Sequence, residues 1–527
     1  MPASRWSRPT CSGRTTIASA KRLPPALPED AIATEPRPLV QRVLFVSPEL
    51  PPWVKSGGLG DVTAALPAAL RAAGVDARVL APGYGVVLDA LPHAALVAEF
   101  PAHAGLPACR LLDAGDVNGA PVFLIDCPSL FRRPGTAYQD EAFADWPDNH
   151  LRFALLSRIG ALLGSAATGL AWRPDVVHCN DWPTGLAPAY LSLAPGEKAA
   201  SVVAIHNLSH QGVFPPGVLD AVGLPRTMFA MEGLEYYGNV SYLKAGIYYA
   251  DRLVTVSPTY ATEIQTDAGG QGLEGLLRAR SDALVGILNG IDTRTWDPAA
   301  DPHLAHCYDF ASIRRKSVNK LALQRRFGLE LGEERMLLGV VSRLADQKGI
   351  DWLLEIVPDL ASLPVQLLVL GSGAKALETR LTALAAAYPA RVAAVIGFDE
   401  SLAHLIEGGA DAFVMPSRYE PCGLNQMYSL RYGTPPIVRA TGGLADTVVD
   451  CVAESLAAGT ANGFSYVGSD ALALLATVTR AFDAWRKPAV WRALQKRGMA
   501  QDFSWAASAQ RYLAVYRAAC VAQRDRT

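Results

Sequence analysis

Short apolar runs rich in β-favouring residues recur along the chain, and stretches with helical periodicity separate them. The runs lie at residues 42–46, 122–125, 176–177, 202–205, 253–256, 337–341, 365–370, 393–396, 412–415 and 436–438. Strands that alternate with helices form parallel βα units, in which helices cover both faces of the sheet. The pattern restarts after the turn at residues 288–292, so the chain is predicted to fold as two α/β domains.

The domain boundaries follow from where this pattern starts and stops. We expect a first domain at residues 42–287, a second at residues 288–500 and a final helical segment at residues 501–527. Four large side chains of the last segment recur at helical spacing and are interpreted as a packing stripe: Trp505, Tyr512, Leu513 and Tyr516.

The first 41 residues differ in composition from the rest of the chain. They are rich in Arg, Ser, Thr and Pro, and Glu29 is their first acidic residue. This composition predicts a disordered leader, and an organelle transit peptide would have a similar one. The segment lacks the apolar core of a secretion signal. We therefore expect the protein in the cytoplasm, or in a plastid if residues 1–41 are a transit peptide.

Length, charge and cysteine content narrow the class of protein. With 527 residues the chain is too long for one hydrophobic core, which agrees with two or three domains. Its 48 Lys and Arg residues nearly balance 50 Asp and Glu residues, so bulk charge predicts neither a nucleic acid nor an anionic membrane as partner. The eight cysteines form no CxxC pair and are predicted to be free thiols. No apolar run approaches the roughly 20 residues of a membrane span.

Polar loops follow several predicted strands of the first domain. Lys55 and two glycines come between the first strand and a helix, Asp181 follows the third strand, and His206 follows the fourth. The carboxyl ends of parallel strands are where such sheets bind ligands. Taken singly, each residue has a plainer interpretation, as a solvated lysine or a histidine paired with nearby backbone.

The second domain repeats this arrangement. Arg343 and Lys348 bracket the loop after its first strand, and Glu420 precedes a helix that is predicted to start near Leu424. A second helix start follows at Thr441-Gly442, and helix N-termini bind anions through their free amides. We find no Asp-x-Asp, HExxH or His/Cys cluster, so cations and helix N-termini are predicted to hold a phosphate-bearing ligand without a metal. The alternative is two ordinary strand-to-helix turns.

Seven segments together resemble the bacterial glycogen synthase and plant starch synthase family, retaining glucosyltransferases with two Rossmann-like domains (GT-B type). In chain order they are KSGGLGDV (55–62), NDW (180–182), HNLSHQG (206–212), LNGID (288–292), VSRLADQKG (341–349), SRYEPCGLNQ (417–426) and GTPPIVRATGGLADTV (433–448). The resemblance implies an α/β fold of two doubly wound domains that face each other across a deep cleft. It also implies hinges near Asn289 and Asp502, with the tail helix returning to the first domain.

The resemblance further implies a reaction and a set of site residues. Glucose would pass from ADP-glucose to the non-reducing 4-hydroxyl of an α-1,4-glucan such as glycogen, with retention of configuration and without a cofactor. The implied catalytic residues are His206, Glu420, Arg343, Lys348 and Asp181. The implied donor-binding residues are Lys55, Gly57, Gly58, Asp61, Asn289, Gln347, Phe398, Cys422, Gly423, Leu424, Thr441 and Gly442.

Three positions depart from the family pattern. Pro183 follows the Asp-Trp pair where many members have His, so the resemblance does not assign the acceptor-side residue at this position. Phe398 stands where many bacterial members have a Tyr thought to stack on adenine, so stacking is kept and a hydroxyl is lost. Asn425 replaces a Thr or an apolar residue, and its sequence context does not explain it.

Two other functions remain possible at this stage. A related transferase or phosphorylase of the same architecture would use UDP-glucose or orthophosphate, and a phosphorylase would carry pyridoxal phosphate on a lysine. A glucan-binding or nucleotide-sensing protein would keep the fold without turnover. No pattern in the sequence indicates an oligomeric state.

Overall fold

Two sheets, one in each half of the chain, form the framework of the structure. The computed structural model describes residues 40–526. The leader predicted for residues 1–41 therefore lies, apart from its last two residues, outside the described part of the chain. Within that part, no helix combines the length and apolar character needed to cross a bilayer.

The first lobe contains the elements that precede the turn at residues 288–292. Its strands are β1 (Arg42–Val46), β2 (Asp76–Pro82), β3 (Ala95–Phe100), β4 (Cys109–Val117), β5 (Ala120–Asp126), β6 (Val176–Asn180), β7 (Ala200–Ile205), β8 (Val213–Phe214), β9 (Glu235–Tyr236), β10 (Asn239–Ser241), β11 (Arg252–Thr255) and β12 (Leu284–Gly286). Its helices are α1 (Gly58–Ala72), α2 (Gly85–Ala90), α3 (Pro128–Phe131), α4 (Asn149–Leu163), α5 (Ala187–Leu193), α6 (Val218–Val222), α7 (Tyr242–Tyr249), α8 (Pro258–Glu263) and α9 (Glu274–Ala279).

The second lobe follows, and a long helix ends the described chain. Its strands are β13 (Met336–Val341), β14 (Val365–Gly371), β15 (Val392–Ile396), β16 (Ala412–Met415), β17 (Pro436–Arg439) and β18 (Phe464–Tyr466). The helices are α10 (Lys316–Arg326), α11 (Ile350–Glu355), α12 (Val357–Ala361), α13 (Lys375–Ala387), α14 (Glu400–Gly409), α15 (Asn425–Arg431), α16 (Gly442–Thr447), α17 (Ala453–Ala458), α18 (Ala471–Trp485), α19 (Pro488–Met499) and α20 (Trp505–Arg526).

Both sheets are doubly wound. In the first, the order is β12-β11-β7-β6-β1-β2-β5-β4-β3, and the seven strands from β12 to β5 are parallel to one another. In the second, all neighbours are parallel in the order β15-β14-β13-β16-β17-β18. The chain reverses its winding direction between β1 and β6 and between β13 and β16. Such switch points open a crevice at the carboxyl ends of the strands, where ligands bind.

The predicted strands are all present, which confirms the α/β fold class, but several strands were not predicted. The hairpin of β3 and β4 pairs antiparallel and exposes apolar side chains such as Leu96, so its pattern is not that of a buried strand. In β2, two charges interrupt the apolar run. Those charges pair with each other, because Arg78 donates to Asp76 at 3.0 Å at the start of the strand. Local pairing therefore lets a central strand carry charged residues.

The tail helix α20 packs on the first lobe. Trp505, Tyr512 and Tyr516 are buried against it, which confirms the predicted packing stripe, and the Tyr516 hydroxyl lies 2.9 Å from Nδ1 of His178 in β6. Just before α20, the carbonyl of Phe503 accepts from the amide of Ile291 at 2.8 Å. The two segments that cross between the lobes therefore run side by side.

Candidate active site

A cavity of about 1030 Å³ lies between the lobes, at the carboxyl ends of the strands that flank both switch points. A cleft of this size is within the range of ligand sites. The structure brings thirteen of the predicted residues to its lining: Gly57, Gly58, Asp61, Asp181, His206, Asn289, Arg343, Gln347, Lys348, Glu420, Cys422, Gly423 and Leu424. We refer to Lys348, Glu420 and Arg343 as the second-lobe wall, and to Asp181, His206, Trp146 and Gln211 as the first-lobe wall.

An ion pair forms the centre of the second-lobe wall. Lys348 lies in a 3-10 turn after β13, and Glu420 lies in the turn after β16, so the switch point brings them together. The Lys348 ammonium is 2.6 Å from Oε2 of Glu420, which also accepts a hydrogen bond from Ser417 at 2.9 Å. Glu420 is only 6% exposed. A buried carboxylate needs such partners, and Glu420 has both a cation and a hydroxyl donor.

Arg343 is the cation of this wall that has no carboxylate partner among residues 40–526. Its side chain is exposed, and its polar contact is a long one, 3.5 Å from Nη2 to Oε1 of Gln347. No carboxylate in residues 40–526 pairs with it at salt-bridge distance. Burial, and then the charge of Arg343, lower the pKa of His210 on the facing lobe. The guanidinium therefore faces the cleft with its charge available to an anion.

Asp181 occupies a strained position on the first-lobe wall. Its φ is +53°, which is unusual for a residue other than glycine. Its Oδ1 accepts the amide of His206 at 2.7 Å and that of Asn207 at 3.5 Å. Burial nevertheless raises the pKa of Asp181 to about 7, with these amide bonds acting in the opposite direction. The carboxyl group is therefore able to change protonation near neutral pH.

His206 presents an unpaired nitrogen. Its Nε2 lies 2.9 Å from Oδ1 of Asn180, whose own amide nitrogen donates to the Val46 carbonyl at 2.8 Å. That second bond orients the Asn180 amide, so Nε2 of His206 must be the donor and Nδ1 the acceptor. Burial lowers the pKa of His206 to about 4, which keeps the ring neutral. Nδ1 is buried and has no partner, and it can accept a hydroxyl from a ligand.

Three more buried polar atoms at the cavity lack partners: Nε1 of Trp146, Oε1 of Gln211 and Oδ1 of Asn289. Buried polar groups are normally hydrogen-bonded, so a cluster of unpaired ones indicates a polar ligand. A ligand with several hydroxyl groups would serve both the donor and the acceptors in this cluster. Of the three residues, only Asn289 was predicted from the sequence.

Glu49 also lines the cavity and was not predicted. It accepts from the Tyr138 hydroxyl at 2.9 Å and from the Ser56 amide at 3.0 Å, and burial raises its pKa. Its position just after β1, in the same loop as Lys55, is a signal that could have identified it. Gln211 lies in the segment HNLSHQG at residues 206–212, which is a comparable signal. Tyr138 and Trp146 carry none, because only the packing of their loops brings them to the cleft.

Four predicted donor-binding residues do not line this cavity. Lys55 pairs with Asp61 at 2.7 Å, so its charge is already neutralised by a neighbour. Thr441 and Gly442 donate hydrogen bonds within the protein. Oε1 of Glu263 accepts one from the Thr441 hydroxyl at 2.9 Å and one from the Gly442 amide at 3.0 Å. A carboxylate of the protein itself thus occupies the α16 N-terminus, and its role in donor binding stays a prediction. Phe398 is 82% exposed on the surface after β15.

The structure explains Asn425, which the sequence left open, and shows the environment of Cys422. Asn425 donates from Nδ2 to the Val341 carbonyl at 2.7 Å, which ties the start of α15 to the end of β13 near Arg343. Burial raises the pKa of the Cys422 thiol to about 12, and the Asn289 amide that bonds the sulfur opposes this shift. A thiol with so high a pKa is a weak nucleophile. Cys422 therefore fills space in a tight turn, as a small residue would.

Residues 40–526 contain no group of three or more His, Cys, Asp or Glu side chains placed to hold a metal ion. That the protein works without a metal and without a cofactor stays a prediction from the sequence.

Comparison with family models assigns a class to this fold and cleft. Residues 42–279 match the starch synthase catalytic domain, and residues 324–495 match the glycosyl transferases group 1 domain. The two models fall on the first and the second lobe. The chain is therefore a glycosyltransferase built from two Rossmann-like lobes.

Relatives narrow the class to a family. The chain is 54% identical over 475 residues to the glycogen synthase of Aromatoleum aromaticum, covering 90% of this chain and 96% of the relative. It is 53% identical over 478 residues to that of Nitrosospira multiformis, with coverages of 90% and 96%. The chain belongs to the glycogen synthase family, together with the starch synthases.

Solved structures agree with this assignment. The catalytic domain of starch synthase IV from Arabidopsis thaliana, bound to ADP and acarbose, matches with a TM-score of 0.78 at 30% identity. The match covers 92% of this chain and 99% of that one. The sucrose-phosphate synthase of Thermosynechococcus elongatus matches at 19% identity with a TM-score of 0.55, which supports the fold alone.

Proposed function

We propose that this enzyme transfers glucose from ADP-glucose to the non-reducing 4-hydroxyl of an α-1,4-glucan, with retention of configuration, in glycogen synthesis. The observation that carries the proposal is the contrast across one cleft: cations on the second-lobe wall face neutral, unpaired polar atoms on the first-lobe wall. A nucleoside diphosphate sugar and a polyhydroxylated acceptor need these two chemistries side by side.

The diphosphate would lie against the second-lobe wall. Arg343 has no competing carboxylate within the described chain, and Lys348 is within reach of the same space. The turn at Gly423 and Leu424, just before α15, would add backbone amides. Lys55 would join them by leaving Asp61, an exposed ion pair that is cheap to break. Together these groups would stabilise the charge of the departing ADP.

The donor glucose would lie between the two walls. Nδ1 of His206, which has no partner, would accept one sugar hydroxyl, and the Glu420 carboxylate at the cavity lining would accept another. Asn289 would provide a further bond from the crossover segment. As the bond between C1 and the phosphate oxygen breaks, the acceptor's O4 would attack C1 from the same face. Its proton would pass to the leaving phosphate, so no protein nucleophile is needed.

The acceptor glucan would approach along the first-lobe wall. Trp146 and Gln211 offer an unpaired donor and an unpaired acceptor, and the rings of Phe214 and Tyr236 line the same side of the cavity. Aromatic faces and scattered hydrogen-bonding groups suit a sugar chain, whose rings have apolar faces and polar edges. The starch synthase IV structure was solved with acarbose, and by analogy we expect an oligosaccharide of this kind to bind here.

Adenine would lie at the outer edge of the second lobe. Phe398 follows β15 at the same carboxyl edge as Arg343, and its exposed ring is available for stacking. A cytoplasmic location and the absence of a metal requirement belong to the same proposal.

The test is release of nucleotide from ADP-glucose and, separately, from UDP-glucose, each with and without glycogen and in the presence of EDTA. We expect ADP release that depends on glycogen and persists in EDTA. Release from UDP-glucose alone would overturn the donor assignment. Tight binding of ADP-glucose without release from either donor would indicate a sensor instead of an enzyme.

A further inference from the structure

Helix α8 of the first lobe forms hydrogen bonds to both sugar-facing loops. The Tyr260 hydroxyl accepts the amide of Leu208 at 3.1 Å, two residues after His206. The Ser257 hydroxyl, which caps α8 by accepting the Tyr260 amide at 3.2 Å, also donates to the Pro421 carbonyl at 2.6 Å. Pro421 adjoins Glu420 on the other lobe. One short helix thus bonds to the neighbours of His206 and of Glu420.

A reciprocal arrangement of carboxylates holds α8 against α16. Glu263 at the end of α8 accepts from the first amide of α16, and Asp446 in α16 accepts from the amide and hydroxyl of Thr259 at 2.8 and 2.7 Å. Each helix therefore places a carboxylate at the N-terminus of the other, where negative charge is stabilising. We call this pair of helices, with Ser257, the lobe junction.

The lobe junction also contacts the backbone of the turn that carries Glu420. The Gly443 amide donates to the carbonyls of Glu420 and Pro421, both at 3.2 Å. A Cβ at Gly442 would lie 2.0 Å from the Glu420 carbonyl oxygen, and one at Gly443 would lie 2.0 Å from that of Cys422. No side chain fits between α16 and this turn, so α16 and the Glu420 turn pack in direct backbone contact.

From these contacts we infer that Ser257 and Glu263 are positioning residues for the transfer reaction: they set where Glu420 lies relative to His206. Both residues lie outside the lining of the cavity and touch no reacting atom. The inference rests on the proposed function, since it concerns the two groups that would hold the donor glucose. Misplacing a catalytic group by about 1 Å can cost on the order of 100-fold in rate.

The experiment compares Glu263→Ala, Glu263→Gln and Ser257→Ala with the wild type. Glutamine keeps the carbonyl oxygen that accepts both bonds, so it should restore what alanine loses. We expect kcat/KM for ADP-glucose to fall on the order of 10- to 100-fold in Glu263→Ala and Ser257→Ala. The inhibition constant of ADP should rise less, by no more than about threefold, because ADP lacks the glucose and keeps its contact with Arg343 outside the displaced turn. Thr262→Ala, on the exposed face of α8, is the matched control.

Three outcomes overturn the inference. They are wild-type kinetics in both alanine variants, equal losses for ADP and ADP-glucose, or a loss of melting temperature and activity together that Glu263→Gln does not restore. Backbone hydrogen exchange tests the inference in the absence of ADP-glucose. Ser257→Ala must raise exchange at residues 206–210 and 417–423 together, and Thr262→Ala must raise neither. If the wild type releases no ADP, the proposed function fails and this exchange result alone decides the inference.

Discussion

The two walls of the cleft differ in how their polar groups are satisfied. On the second-lobe wall, Lys348 and Glu420 are paired at 2.6 Å and Arg343 is exposed, so the wall carries fixed charge. On the first-lobe wall, burial lowers the pKa of His206 to about 4 and raises that of Asp181 to about 7, so burial favours the neutral forms. The same type of switch point thus yields a charged surface in one lobe and a largely neutral one in the other.

The cause of this difference is how the ionisable groups are solvated and paired, not composition. Both walls are built from loops after parallel strands, and both contain ionisable residues. The first-lobe loops are covered by residues from the long segment before α4, such as Tyr138 and Trp146, which exclude water from the carboxylates behind them. On the second-lobe wall, Arg343 remains open to solvent, and the buried Glu420 has Lys348 as its partner at 2.6 Å. Desolvation without a cationic partner disfavours charge in the first case, whereas solvent access and ion pairing offset that cost in the second.

Removal of the charge pair should have the greatest consequence for the second-lobe wall. We expect Lys348→Ala and Glu420→Gln each to lower kcat on the order of 100- to 1000-fold, because a positioned charge at the reacting centre is lost. The measurement is glycogen-dependent ADP release. Lys375→Ala removes a second-lobe lysine that pairs with Glu378 at the surface and is the control. Near-normal turnover in both variants would refute the site assignment.

A second set of variants separates the walls by substrate. Arg343→Ala should raise KM for ADP-glucose and the inhibition constant of ADP by about tenfold, since a charge-assisted bond to the diphosphate is lost. Gln211→Ala and Trp146→Phe should instead raise KM for glycogen, by about three- to tenfold. Steady-state kinetics with each substrate varied in turn measures both. The exposed Arg492→Ala should leave all constants unchanged, and a shift of the same constant by all three site variants would contradict the division.

The smallest expected effect is a pH dependence of stability from Asp181. Its folded pKa of about 7 lies above its ordinary value of 3.8, so its contribution to stability is complete below about pH 4 and is lost as the pH rises through about 7. The Asp181→Asn variant should therefore become more stable than the wild type, with a higher melting temperature, as the pH increases. We expect its free energy of unfolding to rise relative to that of the wild type by on the order of 1–2 kcal/mol. This is less than the full pKa shift implies, because water in the cleft screens the charge.

The wild type is the control for this prediction, because its other buried titrating groups are also present in Asp181→Asn. His206 and His178 have lowered pKa values, of about 4 and about 3, so their contributions are lost as the pH falls, in both proteins alike. Thermal unfolding near pH 5 and near pH 8 gives the difference between the wild type and Asp181→Asn. A difference that does not change with pH would show that Asp181 is ionised throughout.

Much of the fold could be predicted because local patterns encode it. Apolar runs of two to six residues marked the central strands, and the glycines and polar residues that end them marked the loops at both switch points. Asp181, His206, Lys348 and Glu420 were found in this way. The hairpin of β3 and β4 was not predicted, because β3 exposes apolar side chains such as Leu96 and its pattern is not that of a buried strand.

The sequence by itself determined the class of fold, the family and the loops from which the site is built, because these depend on the order of residues along short segments. Only the tertiary structure decided which groups are free to bind. Glu263 occupies the N-terminus of α16 from a position 179 residues away in the chain, and Ser257 reaches Pro421 across 164 residues. Likewise, Trp146 and Gln211 are left unpaired only by the way their loops pack. Such facts follow from the packing of one lobe on the other and from burial, and no local pattern contains that information.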